Sequence, residues 1–458
     1  MRNPLLIPDL REIIRDGQAD ALAEFFAEYS APRIAEMMED FEPAEQRAIL
    51  EQIEPQLRGE VFSYLDLDNQ VHLAETLPTV MMASVLQWMP HDDRARLAYQ
   101  LEEEQVDQIL RGLAQAERED IRRLLSYEPG TAGAVMTTDY AALPPHITVR
   151  EAIARLRQEA PDKETIDYAY VIDPHRKVLG VVSLKQMILA RPAARIEEIM
   201  NRDIILGRVD EDQEDVARKI ERYDLYALPI VDDGDHMVGI VTHDDAMDIL
   251  RQEAGETLLA FGGVGAQGAD QVDSDYWRTG IGSSVRRRLT WLLPLFLSGT
   301  LTGWVLESFE WVDKIVPSLA IFVPLLIGTG GNAGSQAVGT IIRALALGEV
   351  QFSDALRVLA REWLTGLLLG ILLGFLGFLF AWLGLGMPPR FALVISLTIL
   401  GICVWANVVG SMVPLVATKL GIDPAVVSAP LISTLVDVTG LFIYYSIAIL
   451  ILVSVLRD

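Results

Sequence analysis

Five stretches after residue 288 carry almost no charge, and this constrains the architecture more than any other feature. Leu289–Leu306 is 18 residues long, Ile315–Ile342 is 28, Trp363–Pro389 is 27 and Phe391–Thr418 is 28. Pro424–Leu456 adds 33 residues interrupted only by Asp437. About 20 apolar residues cross a bilayer core, so five transmembrane helices are predicted. The chain nevertheless has a net charge of −26. From Arg286 onward there are 10 Lys/Arg and 9 Asp/Glu, against 28 and 55 in residues 1–285. An acidic soluble part is thus joined to a neutral apolar one. That excludes a soluble enzyme for the C-terminal third and argues against nucleic acid as a partner, because polyanions are repelled. The lone cysteine, Cys403, rules out an intrachain disulfide. Met1–Asp16 has no apolar core, so no signal peptide is expected.

Basic residues set the expected orientation. Arg286, Arg287, Arg288, Arg343, Arg357, Arg361 and Lys419 fall on one side, and Lys314, Arg390 and Arg457 on the other. The prediction is a multi-pass protein of the plasma (inner) membrane, with a cytoplasmic N-terminus and the C-terminus outside. Asp437 reads as the only ionisable residue in a span core, and a lone carboxylate in lipid is costly enough that it should face a cavity or pore. Gly328-Thr-Gly-Gly-Asn-Ala-Gly-Ser-Gln336 places four glycines in seven positions. Such a segment either weakens the helix and frees carbonyls for a cation, or forms a small-residue packing face. Carbonyl and carboxylate oxygens suit Mg²⁺ or Ca²⁺ better than softer metals. One aspartate is little charge for a divalent ion, whereas a two-fold dimer would supply two.

The soluble part reads as two kinds of fold. Residues 1–128 hold three glycines, with breaks at Leu77-Pro78 and Met89-Pro90, and read as short helices. Within Gln105–Leu125, Val106, Ile109, Leu110, Leu113, Ile121, Leu124 and Leu125 keep helical spacing. Beyond the turn-rich Tyr127–Gly133 lies an internal repeat: Tyr170-Val-Ile-Asp…Val178-Leu-Gly-Val-Val-Ser183 matches Pro229-Ile-Val-Asp…Met237-Val-Gly-Ile-Val-Thr242. Each copy reads strand–helix–strand–strand–helix and resembles a CBS domain, whose cleft often takes adenine nucleotides. Acids crowd the second copy, from Asp210 to Asp248, and clustered like charge invites a cation. Asp248–Asp275 is expected to be a connecting helix. The GxGxxG string at Gly263–Gly268 within it follows no strand of a βαβ unit, so it is read as a break and not as a dinucleotide fingerprint.

The order of these parts, together with Pro324–Gln336, Gly421–Ser428 and Pro430–Tyr445, resembles the MgtE family of magnesium channels over essentially the whole chain. The implied organisation is a helical N domain at 1–128, CBS domains at 129–199 and 200–252, a connecting plug helix at 253–285 and an all-α five-helix pore at 286–458. The resemblance implies a homodimer in which Asp437 holds hydrated Mg²⁺, with Gly328, Gly331, Ser433 and Gly440 lining the path. It also implies closure by cytosolic Mg²⁺ bound at Asp212, Glu214, Asp224, Asp245, Asp248, Glu256, Glu60 and Asp92. Ser335 and Ala429 stand where asparagine is expected in some relatives, and Arg96 and Thr257 where acids are. ATP at the CBS pair is a further expectation. Two alternatives remain open at this level: a divalent-cation transporter coupled to H⁺ or Na⁺, and a membrane-anchored nucleotide sensor.

Overall fold

The computed structural model describes residues 10–13, 25–26, 28–39, 41–264 and 280–453. The chain divides into two compact units, Met1–Glu253 and Ala254–Asp458.

From Ala31 to Leu124 the described residues of the first unit form eight short helices: α1 (Ala31–Met38), α2 (Pro43–Gln52), α3 (Pro55–Ser63), α4 (Leu67–Thr76), α5 (Thr79–Trp88), α6 (His91–Gln100), α7 (Glu103–Leu110) and α8 (Gln115–Leu124). Proline explains the punctuation. Pro43 and Pro55 occupy first turns, where a missing N–H costs nothing, and Pro78 and Pro90 stand as N-caps. The apolar run Gln105–Leu125 is not one helix; it breaks after Leu110 and restarts at Gln115. Ile34, Ile49, Leu50, Val61, Phe62, Met82, Val85 and Leu97 form the dry centre. Buried amides close the helix ends: Gln46 Nε2 donates to Met38 O (2.9 Å) and Gln70 Nε2 to Ser63 O (3.0 Å). These bonds satisfy carbonyls that a helix end leaves orphaned.

The CBS pair follows as α9 (Ala132–Val135), β1 (Tyr140–Leu143), α10 (Val149–Glu159), β2 (Thr165–Ile172), β3 (Val178–Ser183), α11 (Leu184–Leu189) and α12 (Ile196–Ile199), then β4 (Gly207–Arg208), α13 (Gln213–Arg222), β5 (Ala227–Val231), β6 (Met237–Thr242) and α14 (His243–Phe261). Each copy has a three-stranded sheet, parallel then antiparallel, in orders β1-β2-β3 and β4-β5-β6. The repeat extends to register, with Val171 opposite Gly180 and Ile230 opposite Gly239. The copies interlock. Met200, which opens the second, lies over Gly180 of the first, while Met136 lies over Gly239 of the second. Thr137 bridges Ile240 and Asn201 bridges Val181. A side chain at either glycine would strike the methionine, which explains the paired glycines.

Helix α14 ends at Phe261, sooner than the sequence suggests, with Gly263 in the left-handed region (φ 70°) and Val264 N–H reaching back to Leu259 O. The rest of the expected connecting helix, 265–279, lies outside the described residues, as does most of the GxGxxG string.

In the second unit the main helices are α15 (Ile281–Ser308), the short α16 (Glu310–Ile315), α17 (Val323–Ala346), α18 (Ala355–Leu379), α19 (Pro389–Lys419) and α20 (Ala429–Ala448). Among the described residues five segments are long and apolar enough to span a membrane: Ile281–Ser308, Pro317–Ala346, Phe352–Gly384, Pro389–Lys419 and Ala429–Leu452. Pro389 starts the fourth helix and does not end the third, since Gly386 turns the chain in the left-handed region (φ 65°). Gly366, Gly370 and Gly374 of α18 lie against the backbones of Cys403, Leu400 and Ser396, so α18 and α19 run antiparallel at close range.

Candidate functional site

Two groups of residues carry charge where it is costly. The first is in the membrane unit. Asp437 sits half-buried on α20, and its Oδ1 is buried with no hydrogen-bond partner among the described residues. Ser433 is one turn earlier on the same face. Gly331 of α17 fills the space opposite: a Cβ there would collide with Ser433 Oγ and lie 3.7 Å from Asp437 Oδ1. The structure thus gathers Asp437, Ser433 and Gly331 across the α17–α20 contact. Gly328 is one turn from Gly331, on an exposed face where a side chain would meet only open space. Gly328, Asn332, Gln336 and Thr340 form one exposed ridge along α17, spaced by four residues. Gly440 faces elsewhere, toward Ile402 of α19 at 3.4 Å, and does not meet this group.

Two sequence expectations are corrected here. The glycine-rich segment does not unwind, because α17 is continuous from Val323 to Ala346 and its carbonyls are committed to helical bonds. Packing is the reason. Gly330 and Gly334 admit Val436 and Ile432 of α20, and Gly410 of α19 touches the Gly334 carbonyl. Nor is Asp437 the only ionisable residue within a span. The third helix begins eight residues before its charge-free window and includes Glu362, which is 9% exposed. Ser335 Oγ donates to Ala429 O (3.4 Å), joining the two positions where asparagine is expected in some relatives.

The second group is in the soluble unit. Asp92 and Asp93 open α6, and Asp244 and Asp245 open α14. Acids favour a helix N-terminus singly. Here two acidic N-termini oppose each other, and Glu164 joins them. Thr242 Oγ1 donates to Asp245 Oδ2 (2.5 Å). Burial, with Asp92 second, pushes Asp245 up to about 8; burial, with Asp245 and Asp244, pushes Glu164 up to about 7. Burial and neighbouring acids raise Asp92 and Asp93 as well. Arg96, at the position where an acid is expected, pairs with Asp93 at 2.7 Å and offsets part of this strain.

The other expected sensor residues have these partners. Asp248, ion-paired to Arg251 (3.1 Å), adds to the repulsion at Asp93. Glu60 acts with Asp244, Asp93 and Glu164 on Tyr64, whose hydroxyl is raised first by burial. Asp212 is the N-cap of α13, accepting from Glu214 N (2.8 Å); Glu214 pairs with Arg218; Asp224 lies past the helix end at φ 51°. Glu256 and Thr257 lie on α14 within the second unit. Among the described residues no three His, Cys, Asp or Glu side chains are arranged to hold a metal.

Sequence reasoning missed Asp93 and Glu164, and also His91. His91 Nδ1 meets Asp120 (2.6 Å) and its Nε2 meets Asp139 (2.9 Å), tying α6 and α8 to the start of the CBS pair. Burial depresses the imidazole, but hydrogen bonds to Asp120 and Asp139 overcome this and lift it to about 9. Only the Asp92-Asp93 doublet behind a proline carried a local signal.

Comparison with known proteins agrees with this division. Residues 323–447 match a family described as divalent cation transporter, 29–130 match the MgtE intracellular N domain, and 132–192 and 196–252 each match the CBS domain. The chain is 38% identical to the magnesium transporter MgtE of Thermus thermophilus, over 98% of this chain and 99% of that one. It is 31% identical to the Bacillus subtilis magnesium transporter MgtE, over 90% and 92%. Among solved structures it resembles the cytosolic domain of the Mg²⁺ channel MgtE in complex with ATP (33% identity, TM-score 0.50, 52% of this chain and 98% of that one). It also resembles the soluble part of a magnesium transporter (31% identity, TM-score 0.51, 54% and 96%).

Proposed function

Because the chain belongs to the MgtE family of magnesium transporters, we propose that it is a homodimeric, Mg²⁺-selective channel that admits Mg²⁺ down its electrochemical gradient and is closed by Mg²⁺ on its soluble domains. The observation that carries the reading is the buried Oδ1 of Asp437, without a hydrogen-bond partner among the described residues, beside Gly331 and Ser433. An ionisable group inside a span marks an ion path, and all-oxygen donors suit a hard cation that keeps much of its water. The polar ridge Gly328–Asn332–Gln336–Thr340 supports the dimer. Amides facing lipid would lose water's hydrogen bonds, whereas a second copy would turn this ridge and a second Asp437 toward one axis.

Closure rests on the acidic knot. Without cation, Asp92, Asp93, Glu164 and Asp245 repel one another and favour separation of α6 from the CBS pair. With Mg²⁺ the compact arrangement is favoured, because the ion binds it better than the separated one. The remaining expected sensor positions, Asp212, Glu214, Asp224, Asp248, Glu256 and Glu60, are proposed as further Mg²⁺ ligands. We assign the soluble unit to the cytoplasm and the C-terminus to the outside, in the plasma membrane. ATP is proposed at the CBS pair, where the exposed Tyr226 ring stands 5.8 Å from Tyr168 and offers a stacking face. Mg²⁺ flux into proteoliposomes tests the pore: Asp437→Ala is expected to abolish flux while the dimer still elutes as one species. Normal flux through a folded Asp437→Ala dimer removes Asp437 from the path.

A further inference from the structure

A groove of about 770 Å³ lies between α18, α19 and α20, and Asp437 does not line it. Its walls are apolar: Leu356, Ala360 and Leu367 from α18, Leu400 and Val408 from α19, and Ile443 from α20. Two indoles, Trp363 and Trp405, line it, and Trp405 Nε1 is already committed to Thr439 Oγ1 (2.8 Å). The groove therefore suits a mainly apolar occupant.

Its dimensions select among apolar occupants. Leu356 to Leu367 is ~16 Å at about 1.5 Å per helical residue, and one leaflet of an ~30 Å hydrocarbon core is ~15 Å deep. An extended acyl chain of one leaflet matches that length. At the Leu356 end two cations stand one turn apart: Arg357, whose side chain is 88% exposed and only 3.7 Å from Asp354, and Arg361, exposed and without a salt bridge among the described residues. Exposed arginines at a membrane boundary attract anionic headgroups, and their forked donors suit a phosphate.

We propose that this groove holds one acyl chain of an anionic phospholipid, drawn from the leaflet at the Arg357 end, with its phosphate against Arg357 and Arg361. The site is separate from the ion path, so its test does not depend on transport. The full-length protein in mild detergent, offered dioleoylphosphatidylglycerol or dioleoylphosphatidylcholine, is weighed by native mass spectrometry. The expected result is retention of the glycerol lipid on the order of tenfold better than the choline lipid. Arg357→Gln with Arg361→Gln, both at the surface, removes that preference. Ala360→Trp places an indole in the groove and lowers retention of both lipids, with the oligomer unchanged. Equal retention of the two lipids by the wild type, or full retention by Ala360→Trp, overturns the proposal. Dissociation of the oligomer by Ala360→Trp also overturns it, because the occupant is then a second copy.

Discussion

Replacing Asp245 with Asn tests whether the acidic knot stores repulsion. Asp245 moves from an ordinary value of 3.8 to about 8, with burial and Asp92 as the main causes. A tenfold change in proton affinity is worth about 1.36 kcal/mol, so holding this carboxylate ionised in the compact state at pH 8 costs on the order of 5 kcal/mol. The sign follows from the direction of the change. The cost is absent below the separated-state value, grows as pH rises above it, and is complete above about 8. Lowering the pH from 8 to 6 relieves roughly 2–3 kcal/mol, so protons substitute for part of the Mg²⁺. In limited proteolysis of the full-length protein, the wild type should need roughly tenfold or more less Mg²⁺ for protection at pH 6 than at pH 8. Asp245→Asn should be partly protected without Mg²⁺, and its response to pH should flatten. If Asp245→Asn instead needs more Mg²⁺ and keeps the wild-type pH response, Asp245 acts only as a ligand and no repulsion is stored there.

Three further outcomes follow from the geometry. Arg96→Glu removes the 2.7 Å partner of Asp93 and adds an acid, so the compact state should demand several-fold more Mg²⁺ in the same proteolysis titration. His91→Ala breaks bonds to Asp120 and Asp139 and should cost roughly 2–4 kcal/mol of stability. Because His91 is raised to about 9, its stabilisation is full below about 6.5 and fades as pH rises through 9, so wild-type and His91→Ala melting temperatures should converge at pH 10. Gly331→Ala drives a methyl into Ser433 Oγ and should suppress flux strongly, with recovery in the Gly331→Ala/Ser433→Gly double variant; no recovery would mean that the α17–α20 contact is not limiting.

Much of this arrangement is legible in the sequence where the signal is local. The CBS repeat is visible in Gly180 and Gly239, and their strand registers coincide. The five spans are visible as missing charge, and the described residues include five helices of suitable length and apolarity. The errors arise where charge and helix part company. Arg357, Arg361 and Glu362 bound a charge-free window, yet α18 runs through them because a helix end can expose arginines on one face and bury a neighbour on another. The glycines of Gly328–Gln336 lower helix propensity, but close contact with α19 and α20 outweighs that cost and keeps α17 intact. Asp437 is legible because an acid in a span is rare. Glu164 and His91 are not, since their partners Asp245, Asp120 and Asp139 meet them only through tertiary packing.

The central claim is a self-closing Mg²⁺ channel, and one measurement bears on it most directly. Mg²⁺ flux into proteoliposomes is recorded with no pH, sodium or voltage gradient while Mg²⁺ on the soluble-domain face is varied. A self-closing channel gives downhill flux that falls as Mg²⁺ on that face rises. Flux that appears only with an imposed proton or sodium gradient would contradict it and identify a coupled transporter.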